Sequence, residues 1–306
     1  MSHPETRKVK LREAIDWGRL APLRLTARAV AEGVYAGAHK SSRRGAGIEF
    51  GGHRNYVAGD ELRFLDRHAR MRHGMLLIRE FETETDRSLR LVVDASASMS
   101  YASQGAPGAK YAYAALIAAA LGRVALSRGD RVALDFAGGE KAVPLPSTGG
   151  RDAFERIVGH LEAVTPKGEL DSNALEIALS ATMRFARRGS AVVVLSDLLD
   201  LPASAPDLIG ALAAGGRAVV VVQVLDPAEL TFPFQGPLAL AALEGEARVE
   251  TDAALARQGY LDALHELAQR WESGLVARGG HFVQVGSDQD GVDTVRRVLT
   301  ALSRAG

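Results

Sequence analysis

From residue 87 onward the chain alternates short, almost wholly apolar runs with longer segments whose apolar positions recur every three or four residues. An apolar run of four to eight residues bounded by turn formers reads as a strand buried on both faces. The three-to-four spacing reads as a helix with one buried side. The strands predicted this way are Leu89–Val93, Asp130–Phe136, Ala191–Leu195, Arg217–Leu225 and His281–Val285, with Ala142–Leu145 as a short edge strand. The helices are Ala109–Ser127, Arg151–Val164, Ser172–Arg187, Pro206–Ala214, Asp252–Arg278 and Asp290–Leu302. Ser172 stands at an N-cap position, and Gly279-Gly280 closes the long helix whose Leu261, Leu264, Ala268, Trp271 and Leu275 share a face. Residues 226–250 carry three prolines and no period, and read as an excursion of the kind a hairpin makes.

The first 86 residues have another texture. Ile15, Leu20, Leu23, Ala27, Val30 and Val34 predict a helix over 13–36. Residues 41–74 have no clean period, and Met75–Glu82 alternates weakly, as a strand would. Gly59-Asp60 reads as a turn, with glycine supplying a positive φ. Phe50, Tyr56 and Leu65 are expected to be buried anchors. Arg54, Asp60, Arg63, Asp66 and Arg70 are expected to pair with one another, so that 41–81 forms one rigid body with the following sheet.

Buried strands alternating with helices imply an α/β fold: a mostly parallel sheet with helices on both faces. Such sheets bind ligands beyond the carboxyl ends of their strands, where the strand order reverses. Two predicted strands end in acids at that edge, Asp94 and Asp197.

Composition narrows the chemistry. The 306 residues are 47% hydrophobic and 24% charged, an ordinary globular balance, and cysteine is absent. Disulfides, thiolate zinc sites and cysteine nucleophiles are therefore excluded. Formal charge is zero, although residues 1–90 hold 18 basic against 12 acidic residues. The arginines are scattered rather than run together, so no nucleic-acid partner is expected. The longest apolar runs, Tyr111–Gly122 and Ala218–Val222, fall short of the ~18 residues a membrane helix needs. With no apolar leader after the charged N-terminus, the expectation is a cytoplasmic chain without a membrane segment of its own.

The sharpest local motif is Asp94-Ala95-Ser96-Ala97-Ser98, directly after a predicted buried strand. One carboxylate and two hydroxyls at alternate positions suit a hard cation, Mg²⁺ before Mn²⁺ or Ca²⁺. The bland reading is a capped turn, since Asp and Ser favour turns and helix starts. Other chemistries fit less well. There is no G-x-S-x-G elbow, and Gly105–Lys110 does not meet the phosphate-loop pattern G-x-x-x-x-G-K-S/T. His68 and His73 lack supporting ligand spacing for zinc.

Taken together, these residues resemble a known family. The strand followed by D-x-S-x-S, a later hydroxyl-bearing loop and a later strand–Asp are similar to the metal-ion-dependent adhesion site of von Willebrand factor A domains. The preceding stretch carries Gly45-x-Gly-x-Glu-Phe50, Arg54-x-Tyr56-x-x-Gly59-Asp60-x-x-Arg63, Asp66, Ala69-Arg70 and Arg79-Glu80-Phe81. It resembles the bacterial domain-of-unknown-function family fifty-eight, which joins such a prelude to a von Willebrand factor A-like domain. Arg67 and Ser172 depart from the family, which usually has Trp and Thr there. The resemblance implies metal ligands Asp94, Ser96, Ser98 and Asp197, with Ser172 or its neighbour Asp171 from the third loop.

It also implies an N-terminal module over 1–86 and a von Willebrand factor A-like domain over 87–306. The function it implies is a non-enzymatic, metal-dependent protein-binding adaptor or assembly factor. Its partner would be a MoxR-type AAA+ ATPase or that ATPase's client, and an acidic residue of the partner would complete the ion's shell. No residue is assigned a catalytic role. A metal-dependent hydrolase or phosphoesterase using the same strand-end acids is the alternative; it would need a base beside the metal-bound water, for which Asp171 and Asp200 are the nearest candidates.

Overall fold

The computed structural model describes residues 15–38, 53–55, 77–79, 88–170, 172–199, 201, 204–241 and 248–305. The helix expected over 13–36 is α1, Leu23–Ala38, preceded by a 3₁₀ turn at Gly18–Leu20. β1 (His53–Asn55) and β2 (Leu77–Arg79) form an antiparallel pair, so the weak alternation near Met75 does mark a strand. Most prelude motif residues, including Phe50, Tyr56, Leu65 and the Arg/Asp set from Asp60 to Arg70, lie outside the described residues.

The elements after residue 87 follow in order. They are β3 (Ser88–Asp94), α2 (Lys110–Ser127), β4 (Arg131–Ala137), β5 (Leu145–Thr148), α3 (Ala153–Ala163) and α4 (Ser172–Phe185). Then come β6 (Ala191–Ser196), α5 (Ala205–Ala214), β7 (Ala218–Leu225), α6 (Pro227–Thr231), β8 (Pro237–Ala241) and β9 (Arg248–Asp252). α7 (Ala253–Val276), β10 (His281–Gly286) and α8 (Gly291–Ala305) complete the chain. β8 and β9 pair antiparallel, which makes the proline-rich excursion a hairpin. The edge strand begins at Leu145 rather than at Ala142.

Six strands form one sheet in the order β10-β7-β6-β3-β4-β5, all parallel except the β4–β5 pair. The expected class therefore holds: a mostly parallel α/β sheet with helices on both faces. Strand residues alternate between two apolar layers. Leu91, Val93, Val193, Leu195, Val220 and Val222 face α1, α2, α3 and α8. Val92, Val192, Val194, Val219 and Val221 face α4, α5 and α7. Burial on both faces is why these strands read as continuous apolar runs rather than as alternation.

α2 is buried almost all round, because α1 and α8 close over the side turned away from the sheet. Its alanines allow that close stacking, and Lys110, at its first turn, is wholly buried with it. A lysine in such a place requires negative partners, since an unpaired buried ammonium is prohibitively costly.

Candidate functional site

The chain enters the sheet at β3, moves one way to β4 and β5, and then returns to β6 on the other side of β3. The connections leaving β3 and β6 thus diverge, to α2 on one face and α5 on the other, which makes their carboxyl ends the switch point of the sheet. β3 pairs β6 with Val93 opposite Leu195, which puts Asp94 beside Ser196. The Ser196 hydroxyl donates to Asp94 Oδ2 at 2.5 Å, and the Ser96 amide donates to Asp94 Oδ1 at 2.8 Å. The Ser96 and Ser98 hydroxyls stand 3.1 Å apart. Asp94, Ser96, Ser98 and Asp197 are all buried. The structure therefore gathers four of the expected ligand residues at this switch point.

The loops at the switch point are held by the backbone. Ala97 N–H donates to Gly168 O, and Lys167 N–H donates to Ala95 O, which brings the segment leading to α4 against the β3 exit. Gly139 also packs here, with φ at +90°; a Cβ on it would lie 2.7 Å from the Ala95 Cβ. Leu198, directly after Asp197, holds a left-handed φ of 63° while buried. Such backbone costs of order 1–3 kcal/mol and collects at functional sites. It turns the Leu198 amide back to Ser196 Oγ and the Leu199 amide to Asp197 Oδ1. Ser172 is placed by its backbone as the first residue of α4, and Asp171 and Asp200 lie outside the described residues.

The sequence reading missed the cation beside these acids. Lys110 Nζ donates to Asp197 Oδ2 and to Glu229 Oε1, both at 2.7 Å. Glu229 belongs to α6, whose N-cap is Asp226. The Asp226 amide donates to Glu229 Oε2, while Asp226 Oδ1 accepts from Ala228 N–H and Oδ2 from Ser103 N–H. The loops leaving β3, β6 and β7 are thus joined through one ammonium and two carboxylates. The legible signal was Lys110 itself, a charge opening a helix whose residues 111–122 carry none.

Burial pushes the Asp94 carboxyl up, and the Asp197 charge pushes it further. The hydrogen bonds from Ser196 and Ser96 offset only part of this, and the group titrates at about 7. Burial opposes the charge on Lys110, but Asp197 and Glu229 outweigh it and hold the ammonium above its ordinary range. Burial likewise raises Glu229, against the pull of Lys110.

The chemistry of the donor set tests whether a divalent cation fits. All the donors are oxygens, two of them neutral hydroxyls, and one carboxylate is destabilised by the negative charge of another. Hard cations take such donors and relieve that repulsion. Among the described residues, no three of His, Cys, Asp or Glu gather as metal ligands, so a cation here would rest on Ser96 and Ser98 beside the acids. The residues fit.

Residues 52–270 match the family described as Protein of unknown function DUF58. The chain belongs to that family. A DUF58-sized stretch is shared with an uncharacterized protein of Mycobacterium tuberculosis, Rv1480, which is 29% identical over 238 residues, 76% of this chain and 74% of the relative. Among solved structures, an aerotolerance-related membrane protein from Bacteroides fragilis is similar at 15% identity, over 71% of this chain and 99% of that one, with a TM-score of 0.46. A von Willebrand factor type A protein from Catenulispora acidiphila is similar at 11% identity, over 76% of this chain and 44% of that one, with a TM-score of 0.41.

One expectation falls here. The expectation of a cytoplasmic chain rested on the lack of an apolar span, yet the Bacteroides fragilis protein that is similar over 71% of this DUF58 chain is described as a membrane protein. A sheet domain of this kind is compatible with either setting, so the assignment is withdrawn. No described helix is long and apolar enough to cross a membrane.

Proposed function

We propose that this DUF58 protein is a non-enzymatic protein-binding adaptor that grips an acidic side chain of a partner through a divalent cation, Mg²⁺ before Mn²⁺ or Ca²⁺. Asp94, Ser96, Ser98 and Asp197 would hold the ion, with Ser172 or Asp171 from the third loop. The observation that carries the reading is the convergence of two buried carboxylates and a hydroxyl pair at the sheet's switch point. A cation bound mainly by neutral hydroxyls keeps much of its charge and offers an open position to an incoming carboxylate. The residues themselves supply the rest. Ser196 and the Ser96 amide orient Asp94, the Leu199 amide orients Asp197, and the strained turn at Leu198 returns its own amide to Ser196 Oγ.

The resemblance makes a MoxR-type AAA+ ATPase, or its client, the partner to test. Purified proteins are mixed with Mg²⁺ or EDTA and separated by affinity capture. Capture should fail on chelation and in Asp94→Ala and Ser98→Ala variants that remain folded. The ATPase needs Mg²⁺ for its own nucleotide, so the variants decide: undiminished capture of both removes the adhesion mechanism.

A further inference from the structure

Lys110 sits where the proposed ion would exert its charge, and the inference drawn from it rests on the metal reading above. The side chain is fully buried, with Asp197 and Glu229 each 2.7 Å from its nitrogen and the Tyr101 ring 6.0 Å away. One ammonium is shared by two acids of unequal freedom. Glu229 is pinned to the start of α6, where its second oxygen accepts the Asp226 amide in a reciprocal cap. Among the described residues, the Asp197 carboxylate has, besides Lys110, only the amide of Leu199 in its own turn. Asp197 also belongs to the ligand set, and Glu229 does not.

We propose that Lys110 is an internal competitor for Asp197 that sets the divalent-cation affinity of the site, and that Glu229 is the counter-ion to which Lys110 falls back when Asp197 turns to the ion. Without Glu229, release of Asp197 would leave a buried ammonium unpaired, which is strongly destabilising. With Glu229 held by backbone, that state never arises. The same ammonium supplies the positive charge that both carboxylates face at 2.7 Å. Lys110 is thus a positioning residue, acting on the ion through Asp197 and not by touching it. Asp226 accepts the Ser103 amide from the loop that carries Ser96 and Ser98, so the fallback acid belongs to the same tied cluster as the ligands.

The two partners give opposite signs, which no general loosening of the site does. Lys110→Met removes the competitor and leaves Asp197 free. Glu229→Gln removes the fallback and ties Lys110 to Asp197 more tightly. Mn²⁺ binding to the full chain is titrated by electron paramagnetic resonance, with circular dichroism to confirm folding. Lys110→Met should bind Mn²⁺ at least tenfold more tightly than wild type, and Glu229→Gln at least threefold more weakly. Where Lys110→Met does not fold, the apolar pair Lys110→Met with Glu229→Leu replaces it and should bind more tightly than Glu229→Gln. Mn²⁺ binding by Lys110→Met with none by wild type also supports the proposal. Wild-type binding with equal or weaker affinity in Lys110→Met overturns it while leaving the metal reading in place. No binding by any form at millimolar Mn²⁺ overturns both.

Discussion

Asp94 couples the candidate site to folding stability through its proton. The group is fully buried, and its carboxyl titrates at about 7 in the folded chain, against roughly 4 when unfolded. Between those values the folded state holds a proton that the unfolded state has lost. Stability therefore falls as pH rises from about 4 to about 7, and above that the loss is complete. The size of this effect is about 4 kcal/mol, from about 1.4 kcal/mol for each tenfold change in proton affinity. Asp94→Asn keeps the shape and removes the titration, with the Ser196 hydroxyl able to accept from the new amide. Urea denaturation in EDTA, followed by circular dichroism at pH 4 to 8, gives both stabilities. The difference between wild type and Asp94→Asn should move against wild type by about 4 kcal/mol across that range. Added Mg²⁺ should shrink the change, since the ion favours the charged carboxylate. A difference that stays flat, or moves the other way, refutes both the buried charge and the role given to Asp197 beside it.

Two further outcomes are expected. Arg90 and Asp135 form a buried pair at 3.7 Å, with Thr182 also donating to Asp135; Arg90→Met alone should cost roughly 3–5 kcal/mol, while Arg90→Met with Asp135→Leu recovers most of it in the same urea assay. Gly139→Val meets both a positive φ and a close approach to Ala95, so it should lower stability by more than about 1 kcal/mol and weaken Mn²⁺ binding, and an unchanged Mn²⁺ titration would detach that glycine from the β3-exit loop.

Much of the sheet was legible because continuous apolar runs and period-3.6 patterns are local. A strand covered on both faces is apolar along most of its length, so Leu89–Val93, Ala191–Leu195 and Arg217–Leu225 stood out in spite of Arg90 and Gln223 within them. The acids at two of their ends were visible for the same reason, as was the D-x-S-x-S loop. The edge strand was displaced because Pro144 and Pro146 break the local pattern, and only pairing with β4 decided that Leu145 begins it.

What the chain alone did not determine was which strands are neighbours. Strand order put β3 beside β6, and that adjacency brings Ser196 to Asp94 and sets Asp197 at the same edge. The sequence showed Lys110 as one basic residue beside a glycine-rich loop. Its partners are 87 and 119 residues away, beyond the reach of any local pattern. Tertiary structure chose them because a fully buried ammonium has no water, and two carboxylates at the mouths of β6 and β7 are the charges the fold brings to it.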